Sequence, residues 1–308
     1  MKTIYVVTGQ TASGKTSYAI NLAKELNGEL INADSRQIYK HMDIVTGKDL
    51  HLTQGAFQLV NSINDFDIGY YKIPVVNTKI WLYDIVEPNI NFSAFDYKIC
   101  ALDCIEKIFK NQKVPIIVGG SYLYIKNLLF NTIDIHVPPD LGLRAELSEL
   151  SVGDLQIKLN KINFLILDTM NESDRNNPHR LIRKIEILSN TKSPNSDTSS
   201  TPISEKYTIK LIGFRHKNRI ALEKLIEKRI NERMENGAVD EVKKLLQMNY
   251  TGDTPGLNAI GYKQIISYLN KSIPYDVMIS EWRTKEVQYA KRQYTFMKQN
   301  KDFAWTVL

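Results

Sequence analysis

Apolar positions along this chain fall into short unbroken runs that alternate with longer stretches at helical spacing. Residues 4–8 form a β-rich run closed by Gly9, the pattern of a strand buried on both faces of a parallel sheet. Residues 15–26 carry Tyr18, Ala19, Leu22, Ala23 and Leu26 at helical spacing, and Gly28 behind them is a stop signal. Residues 30–33 read as a second strand ending at Asp34, and residues 81–86 as a third. Residues 94–109 read as a helix with Phe95, Ile99, Leu102, Ile105, Ile108 and Phe109 to one side. Residues 114–118 read as a fourth strand, ending in Gly119-Gly120. Strands alternating with helices predict an α/β fold, a parallel sheet flanked by helices with right-handed crossovers.

After Gly120 the pattern turns helical through residue 189, broken at Pro138-Pro139 and at Asn176-Asn177-Pro178. Residues 193–202 are a polar loop. A strand returns at 207–214, followed by helices at 221–234, 239–248, 262–269 and 280–298. The predicted organisation is a core over 1–122, a helical insertion subdomain over 123–200, and a return to the core with C-terminal helices over 201–308.

Composition changes this picture little. The chain has 308 residues, 43% of them hydrophobic, and a formal net charge of +6, which suits a phosphate-rich partner without requiring one. Cys100 and Cys104 lie one helical turn apart with no zinc-type spacing, so they read as buried small hydrophobes in a reduced, cytoplasmic protein. The opening apolar run is too short for a signal peptide, and no stretch reaches the ~18 apolar residues of a membrane span. Nothing demands an oligomer, so a monomer is expected.

The strongest chemical signal is Gly9-Gln10-Thr11-Ala12-Ser13-Gly14-Lys15-Thr16. It matches the phosphate-binding loop G-x-x-x-x-G-K-[ST] of nucleotide- and ATP-binding proteins, between a strand and a helix as the mechanism requires. Its backbone N–H groups and the helix N-terminus face an anion, Lys15 adds charge, and the Thr16 hydroxyl is a ligand for Mg²⁺. The motif indicates a di- or triphosphate and leaves the reaction open. Asp34, at the carboxyl end of the second strand, has three readings: a general base, a water-mediated Mg²⁺ ligand, or a helix N-cap.

Beyond these, the chain carries Ile31-Asn32-Ala33-Asp34-Ser35-Arg36-Gln37-Ile38-Tyr39-Lys40, Met42-Asp43-Ile44 and Val118-Gly119-Gly120-Ser121-Tyr122-Leu123-Tyr124. Later come Asn177-Pro178-His179-Arg180-Leu181-Ile182-Arg183-Lys184-Ile185-Glu186, Ile226-Glu227-Lys228-Arg229, Asn258-Ala259-Ile260-Gly261-Tyr262-Lys263-Gln264 and Tyr289-Ala290-Lys291-Arg292-Gln293. In this order, over nearly the whole chain, the blocks resemble the tRNA dimethylallyltransferases. The resemblance implies transfer of a dimethylallyl group from dimethylallyl diphosphate to N6 of the adenosine beside the anticodon (position 37 of the tRNA), releasing diphosphate. It implies that Gly9, Thr11, Ala12, Ser13, Gly14, Lys15 and Thr16 hold the diphosphate, with Lys15, Arg229 and Mg²⁺ on Thr16 neutralising it as it leaves. It implies Asp34 as the base toward the amine, and Ser121, where the family pattern has threonine, near the amine and the diphosphate. Contacts to the tRNA anticodon stem-loop are implied for Asp34, Ser35, Arg36, Gln37, Arg144, Arg180, Leu181, Ile182, Arg183, Lys184, Asn258, Gly261, Tyr262, Lys263, Lys291 and Arg292, with the helical insertion gripping the stem.

The chemistry agrees with this resemblance. An adenine amine is a poor nucleophile and needs a positioned proton acceptor, and a departing diphosphate needs fixed cations and N–H donors. A stacked base must be extruded to react, and Tyr39, Tyr122 and Tyr124 are candidate walls or plain core. The chain departs from the family pattern in lacking paired histidines before Asp84 and in reading Val45-Thr46-Gly47-Lys48 where Gly-Thr-Ala-Lys is usual. A phosphate-loop kinase, a prenyltransferase for free adenine nucleotides and an RNA-binding NTPase switch all share the loop and the core. The kinase does not account for the insertion or for the ordered blocks through Arg292.

Overall fold

A computed structural model describes residues 2–130, 137, 139–190 and 202–308. Two compact units emerge, one of Met1–Leu129 with Ile203–Leu308 and one of Phe130–Pro202. Residues 193–201 of the expected polar loop, and Pro138, lie outside the described residues.

The first unit begins with strand β1 (Thr3–Gly9) and helix α1 (Lys15–Leu26), which stops where Asn27 turns left-handed at φ 49°. Ala19, Ile20 and Ala23 of α1 bury against the sheet beside Val7, Leu30 and Ile116. Strands β2 (Gly28–Asn32), β3 (Gln54–Ile63), β4 (Phe66–Ile73) and β5 (Thr78–Trp81) follow. Helix α2 (Ala94–Lys110) starts at a capping box between Ser93 and Asp96 and leads to β6 (Val114–Gly119) and α3 (Tyr122–Leu129). Cys100 and Cys104 are fully buried on the packed face of α2. Burial pushes the Cys100 thiol up to about 12, so it stays protonated and unreactive.

The second unit holds α4 (Leu141–Ser148), α5 (Val152–Ile162), the single turn α6 (Glu172–Arg175) and α7 (Pro178–Asn190). Asp140, Ser151 and Asn171 cap the first three. Leu147, Leu155, Leu159, Leu181, Ile182 and Ile185 form its core.

The chain re-enters the first unit with α8 (Ile203–Lys206) and β7 (Thr208–Arg215), then α9 (Arg219–Glu235), α10 (Ala238–Gln247), α11 (Tyr262–Leu269), α12 (Tyr275–Met297) and β8 (Ala304–Val307). The sheet has eight strands in the order β3-β4-β5-β2-β6-β1-β7-β8. From β5 to β8 every pairing is parallel, whereas β3, β4 and β5 pair antiparallel. The parallel strands deliver the loops after β1, β2, β6 and β7 to one edge, where open α/β sheets bind ligands. Among the described residues, no helix is long and apolar enough to cross a membrane.

Three expectations shift. The strand expected at 81–86 is β5 at Thr78–Trp81, because Leu82 and Asp84 turn to φ 66° and 57° and leave the sheet. That turn lets Asp84 pair with the buried Lys48 ammonium and accept from the Tyr71 hydroxyl at 2.6 Å. The hairpin of β3 and β4 was not expected. Its turn is Asn64-Asp65, both at positive φ (48° and 65°), the backbone that two-residue hairpins favour. Residues 123–129, expected in the insertion, extend α3 within the first unit, where that helix packs on α2.

Candidate active site

Residues of the loops after β1, β2 and β6 and of helices α9 and α12 line a cavity of about 620 Å³. The phosphate-binding loop supplies Thr11 to Thr16, and its shape explains its glycines. A Cβ on Gly9 would stand 2.2 Å from the Phe214 carbonyl oxygen, and Gly14 caps α1 at φ 69°. The N-terminal turn of α1 thereby lines the cavity, as anion sites at helix N-termini require.

Lys15 reaches back over the loop, donating to the Gln10 carbonyl at 2.6 Å and toward the Ser13 hydroxyl at 3.4 Å. Loss of water around its ammonium, together with the nearby Arg229, lowers its pKa to about 8, against the opposing pull of Asp34 and Asp49. Arg229 projects from α9 and donates to the Thr11 hydroxyl at 2.9 Å. Repulsion from Arg233 and loss of solvent lower its pKa to about 10. Arg233, one turn further on, is answered by Glu286 at 3.0 Å, whereas among the described residues no carboxylate lies within 4 Å of Arg229. The charge most in need of an anion therefore sits against the loop.

Asp34 lines the same cavity. One carboxylate oxygen accepts from the Arg36 N–H at 3.0 Å, a local turn in keeping with the capping reading. The other lies 3.5 Å from where a Cβ on Gly120 would stand. Ser35, Arg36, Gln37, Asn258 and Arg292 also line the cavity.

Other expected residues are placed differently. Ser121 is not part of the lining; its hydroxyl accepts from the Ser35 N–H at 2.8 Å and donates to the Ser35 hydroxyl at 3.0 Å, so it steadies the Asp34 turn. Tyr262 is fully buried, donating to Glu241 at 2.6 Å, and Gly261 (φ 93°) is packed under Val45 and Trp282, so both lie in the packed interior and not on a surface. Lys263 and Lys291 are exposed. Tyr122 and Tyr124 are buried outside the lining, as core packing.

Within the second unit, Leu181 and Ile182 are core residues, because α7 turns that face onto α5. Arg144 forks onto Glu186 with two contacts of 2.9 Å, and Arg183 joins it. Burial alone raises the Glu186 carboxyl, but hydrogen bonds from Arg144, the Asp140 N–H and Arg183 outweigh it and hold the group below the usual carboxylate range. Arg180 is exposed and pairs with Asp174 at 3.0 Å.

Several lining residues carried no expectation. Asp49 adds a second carboxylate facing Lys15 and Arg229, and Arg233, Glu286, Tyr289 and Gln293 complete the far wall. The i, i+4 spacing of Arg229 and Arg233 on α9 was the available signal for the pair. Among the described residues, no group of three or more His, Cys, Asp or Glu could hold a metal. The Thr16 hydroxyl and the Asp34 and Asp49 carboxylates are hard oxygen donors in one cavity, a set that fits Mg²⁺ shared with a phosphate and not a dedicated protein cage.

Comparison with known proteins matches residues 37–300 to the IPP transferase family and residues 2–54 to the isopentenyl transferase family. A tRNA dimethylallyltransferase of Clostridioides difficile (strain 630) is 33% identical over 303 residues, covering 98% of this chain and 90% of the relative. A tRNA dimethylallyltransferase 1 of Syntrophus aciditrophicus (strain SB) is 35% identical over 298 residues, covering 97% and 90%. Among solved structures, a tRNA isopentenylpyrophosphate transferase of Bacillus halodurans is 29% identical with a TM-score of 0.65, covering 99% of this chain and 89% of that one. A eukaryotic dimethylallyltransferase acting on tRNA shares the fold with a TM-score of 0.73 at 21% identity, covering 100% and 74%.

Proposed function

The chain belongs to the IPP transferase family, and from that membership and the cavity's geometry we propose that it transfers a dimethylallyl group from dimethylallyl diphosphate to N6 of the adenosine beside the anticodon of tRNA. The observation that carries this reading is the meeting of an anion cradle and a carboxylate in one cavity of about 620 Å³.

The donor's diphosphate lies in the loop against the Lys15 ammonium and the Arg229 guanidinium. The target adenine, extruded from its stack, enters beside Asp34. Its N6 lone pair attacks the allylic carbon, and the carbon–oxygen bond to the diphosphate breaks with its electron pair leaving on oxygen. Asp34 accepts the amine proton through the carboxylate oxygen that the Arg36 N–H leaves free. Fixed donors aimed at the leaving oxygens lower the barrier without reorganising. Thr16 would hold Mg²⁺, which when bound would neutralise diphosphate oxygens. The exposed Arg180, Lys263, Lys291 and Arg292 are candidate contacts for the anticodon stem-loop. A monomer acting in the cytoplasm goes with this reading.

The test is direct. Purified protein, dimethylallyl diphosphate, Mg²⁺ and unmodified tRNA are incubated and the nucleosides analysed by mass spectrometry. N6-dimethylallyladenosine supports the reading. Phosphorylation of a small substrate at the expense of ATP, with no prenylated nucleoside, overturns it.

A further inference from the structure

Gln293 of α12 spans the two halves of the cavity. Its side-chain oxygen accepts from the Thr11 N–H of the phosphate-binding loop at 2.8 Å, and its side-chain nitrogen donates to the Gly120 carbonyl at 3.0 Å. The residue is 6% exposed. From Gly120 the connection continues, since the next residue, Ser121, holds Ser35 by its hydroxyl and Asp34 adjoins Ser35. Gly120 has no room for a side chain, because a Cβ there would come within 2.3 Å of the Gln293 nitrogen. A second glutamine reinforces the loop: Gln10 donates to the Ala290 carbonyl of α12 at 3.2 Å and accepts from the His216 N–H at 2.8 Å.

We propose that Gln293 is a positioning residue that sets the separation between the diphosphate cradle and the Asp34 carboxylate. The chemistry of the side chain argues for this. One end of the gap offers a half-buried N–H and the other a buried carbonyl, and of the uncharged side chains of this length only a primary amide supplies an acceptor and a donor at once. A methionine fills the space but leaves both backbone groups unsatisfied. A glutamate keeps the Thr11 contact and sets a carboxylate against the Gly120 carbonyl. Its amide is taken up by the Thr11 N–H and the Gly120 carbonyl, so it acts through the two loops that carry them. Because in-line transfer between a held donor and a held amine is sensitive to displacements of about 1 Å, the effect falls on turnover.

This inference rests on Asp34 acting as the base. The experiment compares wild type, Gln293→Met, Asp34→Asn and the double variant in prenyl transfer to tRNA, alongside pyrophosphate binding and thermal melting. The expected result for Gln293→Met is a kcat lower by roughly ten- to a hundredfold with pyrophosphate and tRNA affinities within about threefold of wild type. In the Asp34→Asn background the same substitution should change the residual rate by less than about threefold, because there is no longer a base to position. A kcat within about twofold of wild type, or an undiminished loss in the Asp34→Asn background, overturns the inference. If Gln293→Met does not fold, Gln293→Glu, which keeps the Thr11 contact and loses the one to Gly120, is judged by the same outcomes. Absence of prenyl transfer by wild type would refute the proposed function instead, so the two failures are distinguishable.

Discussion

The Arg229 guanidinium and the Thr11 hydroxyl meet at 2.9 Å across 218 residues of sequence, fastening α9 to the phosphate-binding loop. The contact puts a positive charge with no carboxylate partner, among the described residues, where the diphosphate would leave. Arg229→Ala should lower kcat/KM for dimethylallyl diphosphate by about a hundredfold, and tRNA affinity should hold. Steady-state kinetics with each substrate varied in turn distinguishes this from a general loss of fold.

The depressed pKa of Lys15 gives donor binding a signed pH dependence. The ammonium is charged below about 8 and is lost as pH rises through that value, so pyrophosphate affinity should fall there. Stability runs the other way. An unfolded lysine keeps its proton to 10.5, so between about 8 and 10.5 the unfolded chain binds more protons and the ligand-free protein is relieved of a burial cost as pH rises. Calorimetric titration with pyrophosphate from about pH 7 to about 9.5 reads the first effect, and Arg229→Gln should move its midpoint upward by removing a neighbouring charge.

The proposed mechanism gives the two Asp34 oxygens different tasks, and substitutions separate them. Asp34→Asn keeps an acceptor for the Arg36 N–H and removes the base, so kcat should fall by on the order of a hundredfold or more with tRNA binding near normal. Asp34→Ala also removes the turn's acceptor and should further weaken tRNA binding. A filter-binding assay beside the kinetics resolves the two; full activity of Asp34→Asn would refute its role as the base.

The buried Lys48 ammonium donates to the Tyr39 carbonyl at 2.6 Å and to Asp43 at 2.7 Å, besides pairing with Asp84. Lys48→Met strands the Asp84 carboxylate with only the Tyr71 hydroxyl and should cost about 3–5 kcal/mol of stability in urea unfolding. The double substitution Lys48→Met with Asp84→Leu should recover much of that loss.

Two neighbours on α7 should behave oppositely. Arg180→Ala, at an exposed position, should weaken tRNA binding and lower the salt slope of its affinity by about one, without loss of stability. Leu181→Ala, in the core of the second unit, should cost about 2–5 kcal/mol of stability. Binding at several salt concentrations, with melting curves, checks both.

These contrasts show where periodicity and motif reading stop. Helices 15–26 and 262–269 were readable to the residue because a packed stripe and a glycine boundary coincide there. The phosphate-binding loop and Asp34 were readable because strand ends and glycines locate them. The hairpin of β3 and β4 was not, since it is half exposed with two irregularities in its register; only Asn64-Asp65 marked it. Tyr262 and Leu181 sit in recognisable blocks, yet the block does not tell which face of its helix is turned inward. Gln10 and Gln293 fell inside quoted motifs and Glu241 in none, but the bracing role of all three was unreadable, because a lone polar residue on an amphipathic helix or loop carries no periodic signal. Their meaning lies in backbone groups far away, as when Glu241 accepts from the Asp43, Ile44 and Val45 N–H groups at 2.8, 2.6 and 3.1 Å.

The Thr11–Gln293 bridge joins residues 282 positions apart. During synthesis from the N-terminus, the first strand and its loop leave the ribosome long before the helix that will brace them. A nascent chain can bury the centre of its sheet early, yet it stays catalytically mute until α12 has emerged and docked, so a ribosome-stalled fragment cut before that helix should bind pyrophosphate poorly and modify nothing.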